Sequence, residues 1–120
     1  MLLTAENTVV TGQCPTFHAE MNLVNAAWKT LTKSQIFRST LYTSCEPCPM
    51  CTGAIFWSGI RRVVYSLPAS TLGSITGDTF CTPCTMLFSN ASEITEIVGP
   101  LFPEEGAKVH DGFWTQLHKN

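Results

Sequence analysis

Residues 40–59 read TLYTSCEPCPMCTGAIFWSG, and the rest of the chain can be interpreted outward from them. Residues 39–44 have the short β-branched and aromatic pattern of a strand. Pro49 suits the first turn of a helix, where its missing N–H costs no hydrogen bond. We expect that helix to run to about Trp57, with Gly59 as its C-terminal cap. The stretch therefore predicts a strand that leads directly into a helix.

Further strand and helix patterns flank this stretch on both sides. The predicted elements are a strand within Met1–Val10, a turn at Gly12–Pro15, a helix from a Thr16 cap to about Thr32, a break at Lys33–Gln35, a strand at Arg62–Leu67, a loop over 69–90 with one helical turn near Met86, a strand at Ile94–Val98 and a tail helix within Pro103–Leu117. Strands that alternate with helices predict an α/β layer fold.

Composition and charge narrow the class of protein. The chain has 120 residues, 44% of them hydrophobic and 13% charged, which predicts one globular domain over 1–120. Its net charge of −2 disfavours a long nucleic acid as partner and fits a small, weakly charged substrate. The sequence starts without the pattern of a signal peptide, and we find no transmembrane stretch. We therefore expect a cytoplasmic protein with reduced thiols. Its six cysteines then have a role other than forming disulfides.

Cys48 and Cys51 lie three positions apart at the start of the predicted helix. A helix N-terminus is partially positive, which lowers the pKa of a thiol and favours the thiolate that binds metal. Zinc prefers thiolate and imidazole ligands, and a catalytic zinc takes three protein ligands and leaves one position to water. The two cysteines therefore need one further ligand.

His18 is the candidate for that ligand, and Glu20 follows it two positions later. Residues two apart diverge by about 200° on an ideal helix. At the first turn they can share a site, because side chains lean towards the N-terminal end. A cap at Thr16 would put both residues there. Two helix N-termini, one carrying His18 and the other the two cysteines, would then face one zinc ion.

These residue types suit hydrolytic deamination. Zinc lowers the pKa of a bound water towards about 7. A carboxylate beside that water, but not bound to the metal, can take its proton and pass protons to the substrate. Glu20 is the acid in the right relation to His18, and Glu46 is the competing candidate. The pattern His-x-Glu followed by Pro-Cys-x-x-Cys is the signature of zinc-dependent nucleobase deaminases.

Other interpretations of the cysteines stay open at this point. They include a redox pair, three disulfides in a secreted protein, and an iron–sulfur run that lacks its fourth cysteine. A structural zinc site could also join Cys48 and Cys51 to Cys81 and Cys84, although 29 residues separate the two pairs. The other cysteines are more simply interpreted as small buried or loop residues: Cys14, Cys45, Cys81 and Cys84.

Residues 18–24, HAEMNLV, and residues 40–55, TLYTSCEPCPMCTGAI, resemble the cytidine and deoxycytidylate deaminase superfamily. Within it, the chain is most similar to bacterial guanine deaminases and related nucleoside-deaminase-like proteins. The resemblance implies zinc on His18, Cys48 and Cys51, with Glu20 as the catalytic acid and base. It also implies hydrolysis of a nucleobase, first of all guanine to xanthine and ammonia. The alternatives are a non-catalytic zinc-binding module, a tRNA adenosine deaminase and a cytosine deaminase.

The resemblance also implies a set of substrate-binding residues: Asn7, Ala19, Trp57, Phe113 and Trp114. Asn7 lies in a segment like the one where guanine deaminases place a substrate-binding asparagine, and a turn-forming asparagine is the alternative. Trp57 resembles a pocket tryptophan on the second ligand helix, and the C-terminal aromatics resemble those that close the site. Plain core packing is the alternative for both tryptophans.

The family fold implies a three-layer α/β/α sandwich around a five-stranded sheet, commonly in a dimer. We therefore expect a homodimer. Family members usually begin with a helix and a strand before the strand that matches Met1–Ala5. We accordingly expect a cytidine deaminase-like fold that lacks the usual N-terminal helix and first strand.

Overall fold

The structure is a computed structural model, and it describes residues 1–78 and 80–111. Its helices and strands follow one another in this order: α1 Ala19–Thr30, α2 Lys33–Arg38, β1 Leu41–Cys45, α3 Pro49–Ser58, β2 Arg62–Leu67, α4 Ala69–Thr76, α5 Cys84–Phe88, β3 Glu96–Val98 and α6 Pro103–Lys108. The strands form a parallel sheet in the order β1-β2-β3. The expected α/β architecture is confirmed, with three strands among the described residues.

The central strand β2 shows that both faces of the sheet are covered. Successive residues of a strand point to opposite faces, and Val63, Val64 and Tyr65 are all buried. Such a run is typical of a parallel strand between two layers. On one side of the core, α1 and α3 pack together, and Trp28 Nε1 donates a hydrogen bond to the Ser58 carbonyl at 3.1 Å. This packing fixes the two helices whose first turns carry the site.

Helix α3 is confirmed as predicted. Cys48 is its N-cap residue, and Pro49 is its first helical residue. Gly59 ends the helix in the left-handed conformation at φ 96°, which a glycine adopts without steric cost. Strand β2 is also confirmed, at Arg62–Leu67.

The predicted strand within Met1–Val10 is wrong. Residues 1–8 have no regular secondary structure, and a turn begins at Val9. The Thr8 amide donates to the Phe17 carbonyl at 2.9 Å, so this segment closes a loop. Strand propensity is expressed only where a neighbouring strand supplies hydrogen bonds, and no strand among the described residues pairs with this segment.

The predicted cap at Thr16 is also wrong. His18 is the N-cap residue of α1, in an extended conformation with φ −66° and ψ 155°. Thr16 Oγ1 instead lies 3.3 Å from Cys14 Sγ. The helix therefore begins at Ala19, and Glu20 is its second residue.

Three further boundaries differ from the sequence predictions. The break at Lys33–Gln35 is the start of α2, where Thr32 and Gln35 form a reciprocal capping box. The expected loop over 69–90 contains α4 and α5, short helices that begin directly after Pro68 and Pro83. The tail helix is present as Pro103–Lys108, and the rest of that prediction reaches beyond the described residues. In the part of the chain that the structure describes, every helix is too short or too polar to cross a membrane.

Candidate zinc centre and active site

Two helix N-termini meet at the residues that the sequence singled out. His18 and Cys48 are the N-cap residues of α1 and α3, and Cys51 lies in the first turn of α3. One ligand atom from each of the three lies within 4.8 Å of the others. His18 Nδ1 is 3.6 Å from Cys48 Sγ. We refer to His18, Cys48 and Cys51 as the zinc-ligand cluster.

The zinc-ligand cluster fits a tetrahedral zinc ion. Zn–S bonds of about 2.3 Å and Zn–N bonds of about 2.0 Å place neighbouring ligand atoms about 3.5 Å apart. The separation of 3.6 Å between imidazole and sulfur matches that spacing. Two sulfurs and one imidazole are also the ligand types that zinc prefers. With three protein ligands, one position of the tetrahedron is left for solvent or substrate.

The two thiols of the cluster differ in their protonation. Hydrogen bonds from the Cys51 thiol and amide lower the pKa of Cys48 to about 5, and the nearby His18 adds to this effect. The Cys51 thiol donates to Cys48 and is buried, so its pKa is raised. At neutral pH the metal-free protein therefore carries one thiolate and one thiol.

Zinc binding should therefore release at least one proton per ion near neutral pH, the proton of Cys51. Cys48 is already a thiolate at this pH, whereas the raised pKa of Cys51 keeps its proton until metal displaces it. We expect the apparent zinc affinity to rise by at least about tenfold per pH unit, because ligands must be deprotonated. Competition titration against a chelator and proton release in weak buffer measure the two quantities. An affinity that does not change with pH would contradict this assignment.

Glu20 lies beside the zinc-ligand cluster, in the first turn of α1. Burial raises the pKa of its carboxyl, the charge of Cys48 raises it further, and His18 opposes the shift. Ala19 and Glu20 line one end of a groove of about 660 Å³ between α1, β1 and the N-terminal segment. A carboxyl with a raised pKa beside a metal can both accept and donate a proton near neutral pH.

The competing acid, Glu46, has a structural role. It is 7% exposed, and its two carboxylate oxygens accept hydrogen bonds from the backbone amides of Ala69 at 2.9 Å and Cys84 at 2.8 Å. Those amides lie at the first residues of α4 and α5. A carboxylate near a helix N-terminus is favoured by the helix dipole. Glu46 therefore holds two helices against the end of β1, which supports Glu20 as the proton carrier.

Replacing Glu46 by glutamine should lower the free energy of unfolding by about 3 kcal/mol, since hydrogen bonds to a buried charged group are worth about 1.5–3 kcal/mol each. The amide of glutamine keeps one acceptor and turns an NH₂ group towards a backbone N–H. Urea unfolding of zinc-loaded protein measures the loss. Glu104→Gln, at an exposed position of α6, is the matched control. A change within about 0.5 kcal/mol would contradict the role of Glu46.

The structural zinc site with four cysteines is not formed. Cys84 lies in the core at 0% exposure, where burial and the hydrogen bond to Glu46 raise its pKa to about 12. Among residues 1–78 and 80–111, the zinc-ligand cluster is the group of side chains that could hold a metal, and neither Cys81 nor Cys84 belongs to it. All six cysteines are free thiols, so the disulfide interpretation is also excluded.

The predicted substrate-binding residues that the structure describes do not all lie at the zinc-ligand cluster. Asn7 is exposed, and its Oδ1 accepts from the Val9 amide at 2.9 Å, which is the turn-forming role that the sequence left open. Trp57 lies near the far end of α3, about 13 Å along the axis from Cys48 at 1.5 Å per residue, and it is 79% exposed. It is not brought to the zinc-ligand cluster of its own chain. Phe113 and Trp114 lie outside the described residues.

Two residues near the site were not singled out from the sequence. Asn22 donates to three acceptors of the N-terminal segment, including the Glu6 carbonyl at 2.9 Å. Cys45, at the carboxyl end of β1, has its Sγ 3.6 Å from His110 Nε2. Burial raises the pKa of Cys45, and the charge of Glu20 adds to this, so the pair lies near the catalytic acid. Asn22 could have been singled out from the sequence, because it belongs to the stretch HAEMNLV. The contact between Cys45 and His110 could not, because no local pattern links residues 45 and 110.

The fold and the zinc-ligand cluster together are those of a family of zinc-type deaminases. Residues 1–67 match the family described as the cytidine and deoxycytidylate deaminase zinc-binding region. The chain belongs to this family, and its metal is zinc.

Relatives in the family differ in substrate. A probable cytosine deaminase of Schizosaccharomyces pombe is 39% identical over 121 residues, covering 95% of this chain and 72% of that protein. The guanine deaminase of Bacillus subtilis is 48% identical over 61 residues, covering 51% of this chain and 39% of that protein. The structure of a guanine deaminase from Nitrosomonas europaea superposes with a TM-score of 0.76 at 25% identity, covering 92% of this chain and 64% of that one. The chain thus spans about two fifths to three quarters of the length of these relatives.

Proposed function

We propose that this protein catalyses the zinc-dependent hydrolytic deamination of a free nucleobase, with guanine as the first candidate: guanine and water give xanthine and ammonia. The observation that carries the proposal is the meeting of the α1 and α3 N-termini, which brings three zinc ligands together with Glu20 in the adjoining turn. Three ligands leave a reactive position on the metal, and an acid beside it can move protons.

The residues of the chain have distinct tasks in this reaction. Bound zinc supplies Lewis acidity that makes a water molecule a better nucleophile. Glu20 takes one proton of the attacking water at its carboxylate and delivers it to the ring nitrogen of the base. It then takes the remaining proton from the hydroxyl on the attacked ring carbon and passes it to the amine, which leaves as ammonia. Burial of Glu20 favours this double role, because it raises the carboxyl pKa towards neutral pH. Ala19 lies next to Glu20 at the groove, where its small side chain leaves room for a planar ring.

Guanine is supported by the guanine deaminases among the relatives, one matched at 48% identity over 61 residues and one similar in fold. Cytosine is the second candidate, because the probable cytosine deaminase matches 95% of this chain rather than half of it. Both bases carry an amino group on a ring carbon next to a ring nitrogen, so the same zinc and acid would serve either.

Base recognition and assembly complete the proposal. In this proposal Asn7, Ala19, Phe113 and Trp114 contact the base, Trp57 reaches the base bound to a second copy, and the enzyme is a cytoplasmic homodimer. Six free thiols support a reducing compartment. The 79% exposure of Trp57 supports the dimer, because a second copy would cover an indole that is remote from its own zinc-ligand cluster.

Ammonia release from a panel of substrates tests the proposal. Zinc-quantified protein is incubated with guanine, cytosine and adenine, with their nucleosides, and with a tRNA anticodon stem. We expect release from guanine and little from the nucleosides, and xanthine should appear in equal amount. Preferential release from cytosine would support the second candidate. Release from the tRNA stem alone, or from no compound, would contradict deamination of a free base.

A further inference from the structure

The side-chain amide of Asn22 lies at the centre of three contacts that the catalytic proposal does not use. Its Nδ2 is 2.9 Å from the Glu6 carbonyl, 2.9 Å from Thr8 Oγ1 and 3.4 Å from the Phe17 carbonyl. Asn22 is on α1, one turn beyond His18, and its backbone amide donates to the His18 carbonyl at 2.9 Å. It is therefore fixed to the same helix turn that carries a zinc ligand and Glu20.

The acceptors of Asn22 lie at the two ends of one closed loop, which we call the N-terminal loop, residues 6–17. The Thr8 amide donates to the Phe17 carbonyl at 2.9 Å, and the Cys14 amide donates to the Val9 carbonyl at 3.1 Å. Gly12 packs tightly inside this loop, because a Cβ there would meet the Phe17 ring at 2.6 Å. The loop is thus held together internally and attached to α1 by Asn22.

The two ends of the N-terminal loop lie next to two residues of the proposed site: Asn7, assigned to the base, and His18, assigned to zinc. Asn7 lies between Glu6 and Thr8, the two residues at the start of the loop that Asn22 holds, and His18 follows directly on Phe17. Asn7 Oδ1 is engaged with the Val9 amide, which leaves the NH₂ of Asn7 as the end that can donate to a base. A shift of the loop relative to α1 would move that donor relative to the zinc-ligand cluster.

We propose that Asn22 is a positioning residue that sets the place of Asn7 relative to His18 and thereby controls base recognition. This inference rests on the proposed function, in which Asn7 contacts the base. Asn22 itself touches neither base nor metal in this scheme. Its effect therefore passes through Asn7, and loss of Asn7 should abolish it.

A double-mutant cycle tests this coupling with the zinc-loaded full chain and the base that the substrate panel identifies. We expect Asn22→Ala to raise KM about tenfold with kcat changed less than about twofold. In the Asn7→Ala background the same change should alter KM by less than about twofold, because coupled residues are not additive. Asn25→Ala, at an exposed position of the same helix, is the matched control and should leave both constants unchanged.

Thr8→Val is a second variant for the case that Asn22→Ala does not fold. It removes one acceptor of Asn22 and keeps the shape of the side chain. We expect a rise in KM of about threefold that again disappears in the Asn7→Ala background. An equal rise in KM with and without Asn7, for either variant, would overturn the inference, because it would show a structural effect that bypasses Asn7.

Hydrogen exchange of the Thr8 amide, measured without substrate, separates failure of the inference from failure of the proposed function. Asn22→Ala should speed this exchange about tenfold relative to the wild type, and Asn25→Ala should not, since protection reports the local opening of the loop. Unchanged exchange overturns the anchoring by Asn22. No ammonia from the wild type with any base overturns the proposed function, whereas unchanged KM in an active Asn22→Ala protein overturns only the role of Asn22.

Discussion

Glu20→Gln should lower kcat for ammonia release by about a thousandfold, within the range of about 10²–10⁴ that a positioned acid and base contributes. Glutamine keeps the size and the hydrogen-bonding atoms of glutamate, but it cannot accept the proton of the attacking water or return it to the amine. Glu20 is not a member of the zinc-ligand cluster, so the variant should still hold about one zinc ion per chain.

Metal content and steady-state kinetics on the same sample measure both effects. Glu105→Gln, at an exposed position of α6, is the control for a general effect of charge and should keep wild-type kcat. The result that would exclude Glu20 from the proton transfers is a zinc-loaded Glu20→Gln protein with wild-type turnover. Loss of zinc together with activity would instead place the carboxylate among the ligands.

Cys48→Ala should lose zinc and, with it, all ammonia release. The cluster then has one imidazole and one sulfur, too few to hold the ion against dialysis. The change also removes an N-cap, because Cys48 Sγ accepts a hydrogen bond from the Cys51 amide. We expect an additional loss of about 1 kcal/mol of stability from the cap.

Cys48→Ser separates the two effects, since a hydroxyl can still cap α3 but is a poor ligand for zinc. It should lose the metal while regaining the stability of the cap. Cys81→Ala is the control for the four-cysteine arrangement and should retain about one zinc ion per chain, because Cys81 lies outside the cluster. Retention of zinc by Cys48→Ala would contradict the site.

Local chemistry explains which elements could be predicted from the sequence. Pro49 and Gly59 mark the two ends of α3 by their own backbone preferences, so the helix needed no knowledge of its partners. Strand β2 could be predicted from its β-branched and aromatic residues and from Pro68, which ends it. The zinc ligands could also be predicted from the sequence, because the metal constrains residue type and spacing within each short segment.

Long-range contacts explain what the sequence did not reveal. Residues 1–8 resemble a strand, but no strand among the described residues pairs with them. The role of Glu46 depends on amides 23 and 38 positions away, and that of Asn22 on a loop that folds back onto its helix. Helices α4 and α5 are too short for apolar periodicity to stand out. The exposure of Trp57 follows from the rotation of α3 in the tertiary structure, which its family resemblance did not specify.

The central claim is a zinc ion with three protein ligands and one exchangeable position. X-ray absorption at the zinc edge of the resting, substrate-free protein measures the coordination shell directly. We expect two sulfurs at about 2.3 Å together with one imidazole nitrogen and one oxygen at about 2.0 Å. A shell with three or four sulfurs, or with a fourth protein ligand in place of the oxygen, would contradict the account.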